Sequence, residues 1–268
     1  MNITKIDTDK MLYFESVENT YETKVNVHFH GMFEIYYLTE GSCNYFIGNK
    51  SYKLHAGDIA LIPQGVIHKT NYISRIHSRL LINCSENLIP RSVFEAVNSG
   101  THVFKSGSAR ADIDAIFKII KREYTVRDRF SDEALLSCLT YLFIRIVRLS
   151  ERYTDEIANG QKNCSERAVS YIQENYMNKV TLTDAAIFCS VSNEHLSRSF
   201  KKQTGVGFNE YLCLFRLNQA EAMLINQPGI SISDIAYRCG FNDSNYFSSL
   251  FKKVYGISPT DKKRQISK

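Results

Sequence analysis

The chain has 268 residues, enough for two domains of ordinary size. Hydrophobic residues make up 44% and charged residues 23% of it, a mix that excludes a fibrous or largely disordered protein. Of the net charge of +5, most lies between residues 164 and 268, which hold 13 Lys and Arg against 9 Asp and Glu. This excess fits a polyanionic partner for the C-terminal third.

The N-terminus and the cysteines predict a reducing compartment. No apolar run reaches the length of about 18 residues that a membrane helix needs, and residues 1–7 lack a signal-peptide core. We therefore expect a cytoplasmic protein without a membrane partner. The seven cysteines are scattered and form no C-x-x-C pair, so we expect buried free thiols rather than disulfides or a thiolate metal site.

The first half of the chain predicts β-structure. Period-two alternation, β-branched and aromatic residues, and turn signals such as Gly48-Asn49 favour strands at residues 24–30, 33–38, 42–47, 51–54, 59–62, 77–84 and 102–105. Several short strands separated by regular turns are typical of a sandwich or a barrel.

From residue 109 the hydrophobic period becomes helical. A stripe over residues 113–120 predicts one amphipathic helix, and Ser131-Asp132-Glu133 is a good start for a second. The second helix places one apolar face along Leu135, Leu139, Leu142, Phe143 and Ile146. Polar residues follow, and we interpret residues 154–163 as a linker between domains.

The C-terminal third contains an internal repeat. Four residues return fifty positions later, pairing Thr181 with Ser231, Asp184 with Asp234, Ala186 with Ala236 and Cys189 with Cys239. After one extra residue in the second copy, Leu196 pairs with Phe247, Phe200 with Phe251, Lys201-Lys202 with Lys252-Lys253 and Gly205 with Gly256. Such a repeat indicates one supersecondary unit used twice.

Each copy has the signals of two short helices around a tight turn. Thr181 or Ser231 is suited to cap the first helix, and Ser192 or Asp243 to cap the second. A small alanine inside the first helix allows the second to cross closely, and a glycine ends the second helix. This is the pattern of a helix-turn-helix, whose second helix enters the major groove of DNA.

The C-terminal third resembles the AraC family of transcriptional regulators over about residues 165–264. The resemblance is carried by Ala186, Ser192, Leu196, Phe200-Lys201, Gly205, Tyr211, Arg216, Ala220, Leu224, Ile235-Ala236, Gly240-Phe241, Tyr246-Phe247, Phe251-Lys252, Gly256 and Ser258-Pro259. It implies that a long helix over residues 208–226 links the two units and places both recognition helices on one face of the DNA, about one turn apart.

The resemblance also implies which side chains meet DNA. Base contacts are expected from Glu194, Ser197 and Arg198 in the first recognition helix, and from Ser244, Asn245, Ser248 and Ser249 in the second. Phosphate contacts are expected from Lys201, Lys202, Lys252 and Lys253. Many family members carry Arg at the position of Ser249, so the second unit is expected to read bases less directly than the first.

The N-terminal half resembles the cupin superfamily through His28-x-His30-x3-Glu34 and Gly57-x5-Pro63-x-Gly65-x2-His68. Two positions depart from that pattern: Glu22 replaces a glycine, and Asn71 is displaced by one residue. The resemblance implies a jelly-roll barrel in which His28, His30, Glu34 and His68 bind one divalent metal ion. The alternative is that the same residues line a metal-free polar cavity. Tyr36 lies on the Glu34 face by strand parity, which completes an effector pocket.

The fold expected is therefore α+β, with a cupin-like barrel, two helices and an all-helical C-terminal domain. We divide the chain into an arm and barrel (1–107), a helical dimerisation segment (108–153), a linker (154–163) and the DNA-binding domain (164–268). The helical segment has an alternative role, which is simply to cover the barrel. The mobile arm, placed before Lys24, follows from the family resemblance.

The function expected is that of a sequence-specific transcription regulator, not an enzyme. Its expected partners are double-stranded DNA, a small-molecule effector such as a sugar, a second copy of the chain, and RNA polymerase. No cofactor is required, although a divalent metal fits the barrel residues. Two other functions stay open: a metal-dependent cupin enzyme on a DNA-binding tail, and a constitutive DNA-binding protein whose barrel only dimerises.

Overall fold

The computed structural model describes residues 12–21, 23–98, 102–150, 163–227 and 229–266. The start of the expected arm and nearly all of the expected linker lie outside these residues. Nine strands form the N-terminal part of the described chain: β1 (Leu12–Thr20), β2 (Lys24–His28), β3 (Phe33–Glu40), β4 (Ser42–Ile47), β5 (Lys50–His55), β6 (Asp58–Ile62), β7 (His68–Tyr72), β8 (His77–Cys84) and β9 (Val103–Lys105).

The strands form two antiparallel sheets, ordered β1-β8-β3-β6-β9 and β2-β7-β4-β5. Residues of β3 alternate between two environments, as strand geometry requires. Tyr36 and Leu38 join the apolar cluster inside the barrel, while Ile35 and Tyr37 join a second cluster with the covering helices. The expected cupin-like barrel is confirmed.

In the N-terminal half, two strands and one α-helix were not predicted. Residues 12–20, assigned above to an arm, instead form the edge strand β1, which pairs with β8. Its pattern is weak because Phe14 is the one buried residue of that strand. Strand β7 and the short helix α1 (Arg91–Asn98) were also missed.

Helices α2 (Arg110–Thr125) and α3 (Ser131–Ser150) pack on the five-stranded sheet. The stripe expected to serve dimerisation is buried inside this chain, among sheet residues such as Phe33 and Phe104. Its members are Leu135, Leu139, Leu142, Phe143 and Ile146. The prediction that this stripe forms a dimer interface is therefore wrong; burying it against the barrel's own apolar sheet face already removes it from water.

Seven helices follow in the described residues. They are α4 (Cys164–Asn175), α5 (Leu182–Cys189), α6 (Asn193–Thr204), α7 (Phe208–Asn226), α8 (Ile232–Arg238), α9 (Ser244–Tyr255) and α10 (Pro259–Ile266). Helices α5 and α6 form the first helix-turn-helix unit, α8 and α9 form the second, and α7 joins them, as expected.

The predicted caps hold both units together. Thr181 and Asp184 form a reciprocal capping box at the start of α5. Ser192 and Asp243 accept backbone N–H groups at the starts of α6 and α9, which satisfies donors that a helix leaves unpaired. In the tight turns, Ser190 and Gly240 occupy equivalent left-handed positions, with φ of 57° and 84°.

The barrel packs directly on the helical domain. Val27, Phe29, Phe46 and Ile67 belong to the same buried cluster as the cores of both helix-turn-helix units. Hydrogen bonds cross the boundary as well, including one of 2.8 Å from the Tyr211 hydroxyl to the Gly48 carbonyl oxygen. Within the described ranges, no helix is both long and apolar enough to span a bilayer.

Candidate DNA-binding surface and barrel site

The first recognition helix, α6, is held from behind by Leu196 and Phe200, which are fully buried. On its outer side Glu194, Ser197 and Arg198 are all exposed, as the sequence predicted. An acceptor and a five-donor guanidinium thus project from the N-terminal turns of a short helix, where base edges are usually read.

The second recognition helix, α9, exposes fewer of its predicted base-contacting side chains than α6. Asn245 and Ser249 are exposed, whereas Ser244 and Ser248 are half-buried. The Ser248 hydroxyl donates to the Ser244 carbonyl oxygen at 2.8 Å, so it is already engaged within its own helix. Sequence reasoning missed Tyr246, which is 55% exposed beside Asn245. The available signal was an aromatic residue directly after Asn245, in the first turn of a recognition helix.

Four lysines mark the far ends of the two recognition helices. Lys201 and Lys202 lie in the last turn of α6, and Lys252 and Lys253 in the last turn of α9. All four are exposed. Cations at a helix C-terminus complement the helix dipole, and flexible ammonium groups in this position also suit phosphate oxygens.

Inside the barrel, the structure brings together His28, His30, Glu34 and His68. One nitrogen or oxygen atom from each lies within 4.8 Å of every other. His28 and His68 are direct cross-strand partners on β2 and β7, and their ring centroids are 4.1 Å apart. His30, Glu34 and His68 are buried. The two cupin-like motifs therefore converge on one point.

Backbone hydrogen bonds fix the orientation of two of these rings. Nδ1 of His30 lies 2.8 Å from the Met32 carbonyl oxygen, and Nδ1 of His68 lies 2.7 Å from that of Val66. Because a carbonyl oxygen only accepts, Nδ1 carries the proton in both rings. Each ring therefore turns its Nε2 atom toward Glu34.

The Glu34 carboxylate is the centre of the cluster. It accepts a hydrogen bond of 2.7 Å from the Tyr45 hydroxyl and one of 2.9 Å from His30 Nε2. Burial raises the pKa of Glu34, but the hydrogen bond from His30 and the electrostatic attraction of the nearby His68 and His30 rings outweigh it and hold that pKa well below its usual value. Burial lowers the pKa of His30, but the hydrogen bond and charge of Glu34 and the Met32 carbonyl raise it by more. The net shift of that pKa is therefore upward.

The residues predicted to line the effector pocket lie in the barrel interior, beside its apolar cluster. Tyr36 is buried on the Glu34 side of β3, and its hydroxyl donates to the Tyr72 hydroxyl at 3.3 Å. Two interior residues were missed. Tyr45 reaches Glu34 from β4, and Asn83 is the β8 partner of Glu34, with both side-chain polar atoms buried and without a hydrogen bond. Only strand register, which sequence alone does not provide, pairs Asn83 with Glu34.

A β-sandwich that encloses polar side chains and packs on two helix-turn-helix units defines a two-domain DNA-binding regulator. The model of the AraC-like ligand binding domain matches residues 12–144, and that of a helix-turn-helix domain matches residues 186–265. The chain belongs to the AraC family of transcriptional regulators, whose members bind DNA under the control of a small-molecule effector.

Relatives of similar length match most of the chain. It is 26% identical over 242 residues to the lactose operon transcription activator of Staphylococcus xylosus, covering 87% of this chain and 84% of that protein. It is 24% identical over 265 residues to the transcriptional activator RhaS of Yersinia pestis, covering 89% of each. The solved C-terminal domain of AraT, a response regulator from Geobacillus stearothermophilus, is 35% identical, covers 38% of this chain and 84% of that one, and has a TM-score of 0.37.

Proposed function

We propose that this protein is a cytoplasmic, sugar-responsive transcription activator that binds operator DNA as a homodimer and contacts RNA polymerase. The observation that carries the proposal is the pair of capped recognition helices, α6 and α9, whose polar sides face outward at opposite ends of α7. The barrel acts as a sensor rather than as an enzyme. Curated relatives named as activators support this reading.

Direct base reading falls mainly to the first unit. Arg198 suits guanine O6 and N7, and Glu194 suits the amino group of cytosine. Ser197 adds a hydroxyl. In the second unit Asn245 is the one exposed amide of α9 and suits adenine, while Ser249 offers only a hydroxyl. The second unit therefore depends more on phosphates and DNA shape than the first.

The interior of the barrel favours a polyhydroxylated effector. Asn83, the β8 partner of Glu34, is buried there, and both of its side-chain polar atoms lack a hydrogen-bond partner. Buried polar atoms are nearly always paired, so a ligand rich in hydroxyl groups would satisfy them. Tyr36 and Tyr45 supply apolar ring faces beside these groups. The lactose operon activator shows that a relative of this length regulates a sugar operon.

A second copy of the chain fits the outer side of α3. Leu136, Tyr141 and Ile144 are 41%, 49% and 40% exposed on that side. Exposed large apolar side chains on one helix face are typical of an interface. A dimer would present four recognition helices and strengthen operator binding through effective concentration.

Selection of bound sequences from random duplexes tests the proposal. The full chain is incubated with the library at low and moderate salt, with and without a panel of mono- and disaccharides. We expect a selected site with two half-sites, each containing two groove-spaced elements, and enrichment that changes with one sugar class. Recovery of unenriched sequences under every condition would overturn sequence-specific regulation by this chain.

A further inference from the structure

We propose that His28, His30, Glu34 and His68 bind one divalent first-row transition metal, and that its binding fixes how the barrel docks on the DNA-binding domain. This deepens the proposed function, on which it rests, because it assigns a regulatory input to the same barrel.

The cluster fits a metal in composition and spacing. Three imidazoles and one carboxylate suit Zn²⁺, Fe²⁺, Ni²⁺ or Mn²⁺. Zinc binds nitrogen and carboxylate oxygen at about 2.0–2.2 Å, so ligand atoms around one ion lie about 3–4 Å apart. Here the candidate ligand atoms all lie within 4.8 Å of one another. Small side-chain movements would bring these atoms from within 4.8 Å to the spacing of about 3–4 Å that one ion requires.

A second observation points independently to a missing ligand. His68 is fully buried, and its Nε2 atom has no hydrogen-bond partner. That atom lies 3.8 Å from the nearer Glu34 oxygen, so it faces into the cluster. Because Nδ1 is bonded to the Val66 carbonyl oxygen, Nε2 is the nitrogen that this ring offers to the cluster. Metal-bound histidines usually have their other nitrogen hydrogen-bonded in this manner.

The strands that carry the ligands also carry the docking surface. His28 on β2 faces into the barrel, and its neighbours Val27 and Phe29 lie in the buried cluster of the helical domain. On β7, His68 faces inward while Lys69 faces outward, with its Nζ 3.3 Å from the Lys202 carbonyl oxygen at the end of α6. Strand alternation therefore couples each inward ligand to an outward contact.

The turn after β6 forms a second connection. The backbone N–H of Gly65 donates to the His30 carbonyl oxygen at 2.8 Å. The Gly65 carbonyl oxygen in turn accepts from Nδ2 of Asn218, on α7, at 2.6 Å. Val66, which holds His68, is the next residue. Each histidine is thus connected through this turn, by two hydrogen bonds, to the helix that joins the two DNA-binding units.

The docked barrel touches both units. Lys69 contacts the end of α6, and the Phe29 ring lies 5.8 Å from that of Tyr255, at the end of α9. A barrel face made rigid by a metal would hold the two recognition helices at one separation. Glu194 and Arg198 on α6 and Asn245 on α9 remain exposed in this docked arrangement.

Metal binding is measured first, on the untagged full chain after removal of metal with a chelator. Titration with Co²⁺ alone should give visible absorption bands that saturate near one ion per chain, displaced by Zn²⁺. His68→Ala and the isosteric Glu34→Gln should both lose most of this binding. His55→Ala, which removes an exposed histidine outside the cluster, should bind like the unchanged protein. Equal binding by all four proteins, or none by the unchanged one, overturns the proposal.

Coupling is measured next, by hydrogen exchange with and without Zn²⁺. The amides of Gly48 and Gly65 both donate hydrogen bonds at the docking surface, so their peptides report on it. We expect Zn²⁺ to slow exchange there and along α7 in the unchanged protein and in His55→Ala, but not in His68→Ala. Tyr211→Phe, which loses only the hydroxyl bonded to Gly48, should bind Co²⁺ normally while its α7 exchange responds less.

Two results separate this inference from the proposed function. If Zn²⁺ binds at one equivalent but leaves exchange at these peptides unchanged, control of docking by the metal is wrong. If no metal binds but the chain still selects a DNA sequence, the metal site fails and the regulator stands. Loss of sequence selection in a metal-loaded protein would instead contradict the function itself.

Discussion

Gly240 and Gly256 share a left-handed backbone but differ in their surroundings. Their φ angles are 84° and 78°. A Cβ atom on Gly240 would lie 2.4 Å from the Tyr176 carbonyl oxygen, whereas one on Gly256 would meet nothing within 4 Å. Only the first position therefore combines the strained backbone with a close approach between chain segments.

The pair gives a stability prediction. Gly256→Ala should cost about 1–2 kcal/mol, the price of a left-handed alanine. Gly240→Ala should cost clearly more, because the turn between α8 and α9 must also move away from Tyr176. Urea unfolding followed by circular dichroism measures both. Equal losses in the two variants would show that the backbone near Tyr176 yields easily.

Arg198 and Lys201 lie on the same recognition helix, but we expect their replacement to weaken DNA binding in different ways. Arg198→Ala should cost about 1–3 kcal/mol at the selected site and relax preference at one base position. Lys201→Ala should weaken binding to all duplexes alike and reduce the salt slope by about 1. Fluorescence anisotropy with the selected site and its single-base variants measures both. Unchanged base preference in Arg198→Ala would contradict its assignment.

Among the site residues, the sequence predicted those that belong to a motif and missed those whose position depends on how the strands pair. The spacing of His28, His30 and Glu34, with a distant His68, was enough to place four side chains together. Asn83 carries no motif, and it reaches the cluster only because β8 pairs with β3. Long-range pairing of this kind depends on the whole sheet rather than on neighbours in sequence.

The two faces of α3 have opposite roles. Ile146 is fully buried against the sheet, whereas Ile144, two residues before it, is 40% exposed. The heptad-like stripe seen in the sequence is the inward face, so the interface proposed for a second copy lies on the weaker, outward pattern. Amphipathicity identifies the buried face but does not say whether the same chain or a partner covers it.

Ile144→Arg tests the outward face. A charged side chain there should separate a dimer into monomers while leaving the free energy of unfolding nearly unchanged, since surface substitutions usually shift it by less than about 0.5 kcal/mol. Light scattering after size exclusion gives the mass. Ile146→Ala is the matched control from the inward face and should cost about 2–5 kcal/mol of stability instead. An unaltered mass for Ile144→Arg at low concentration would place the interface elsewhere.

Strand β7 shows why one element escaped prediction. Its sequence, His68–Tyr72, lacks apolar alternation because its inward residues join a polar interior and Lys69 caps the end of α6. Both faces of this strand are therefore polar for reasons outside the strand itself. The helical units were easier, since their caps and tight turns are set by residues a few positions apart in sequence.

At the scale of the whole molecule, the barrel and the helical domain are joined through one buried cluster. No local sequence pattern predicted this contact. Phe29 of the barrel and Phe14 of the same barrel form a matched pair: each is buried, and each lies with its ring centroid 5.8 Å from a tyrosine ring. The partner of Phe14 is Tyr124 on α2, within the N-terminal half. The partner of Phe29 is Tyr255, in the second DNA-binding unit.

Scanning calorimetry of these two variants tests whether the halves unfold together. Removing either buried ring should cost about 3–5 kcal/mol. Phe14→Ala weakens only the N-terminal half, so with docking intact it should lower the melting temperature of a single shared transition. Phe29→Ala also removes the contact between halves, so it should split unfolding into two transitions, because cooperativity depends on that boundary. One shared transition in Phe29→Ala, lowered as much as in Phe14→Ala, would mean that the remaining contacts at Gly48, Gly65 and Lys69 are enough to hold the domains together.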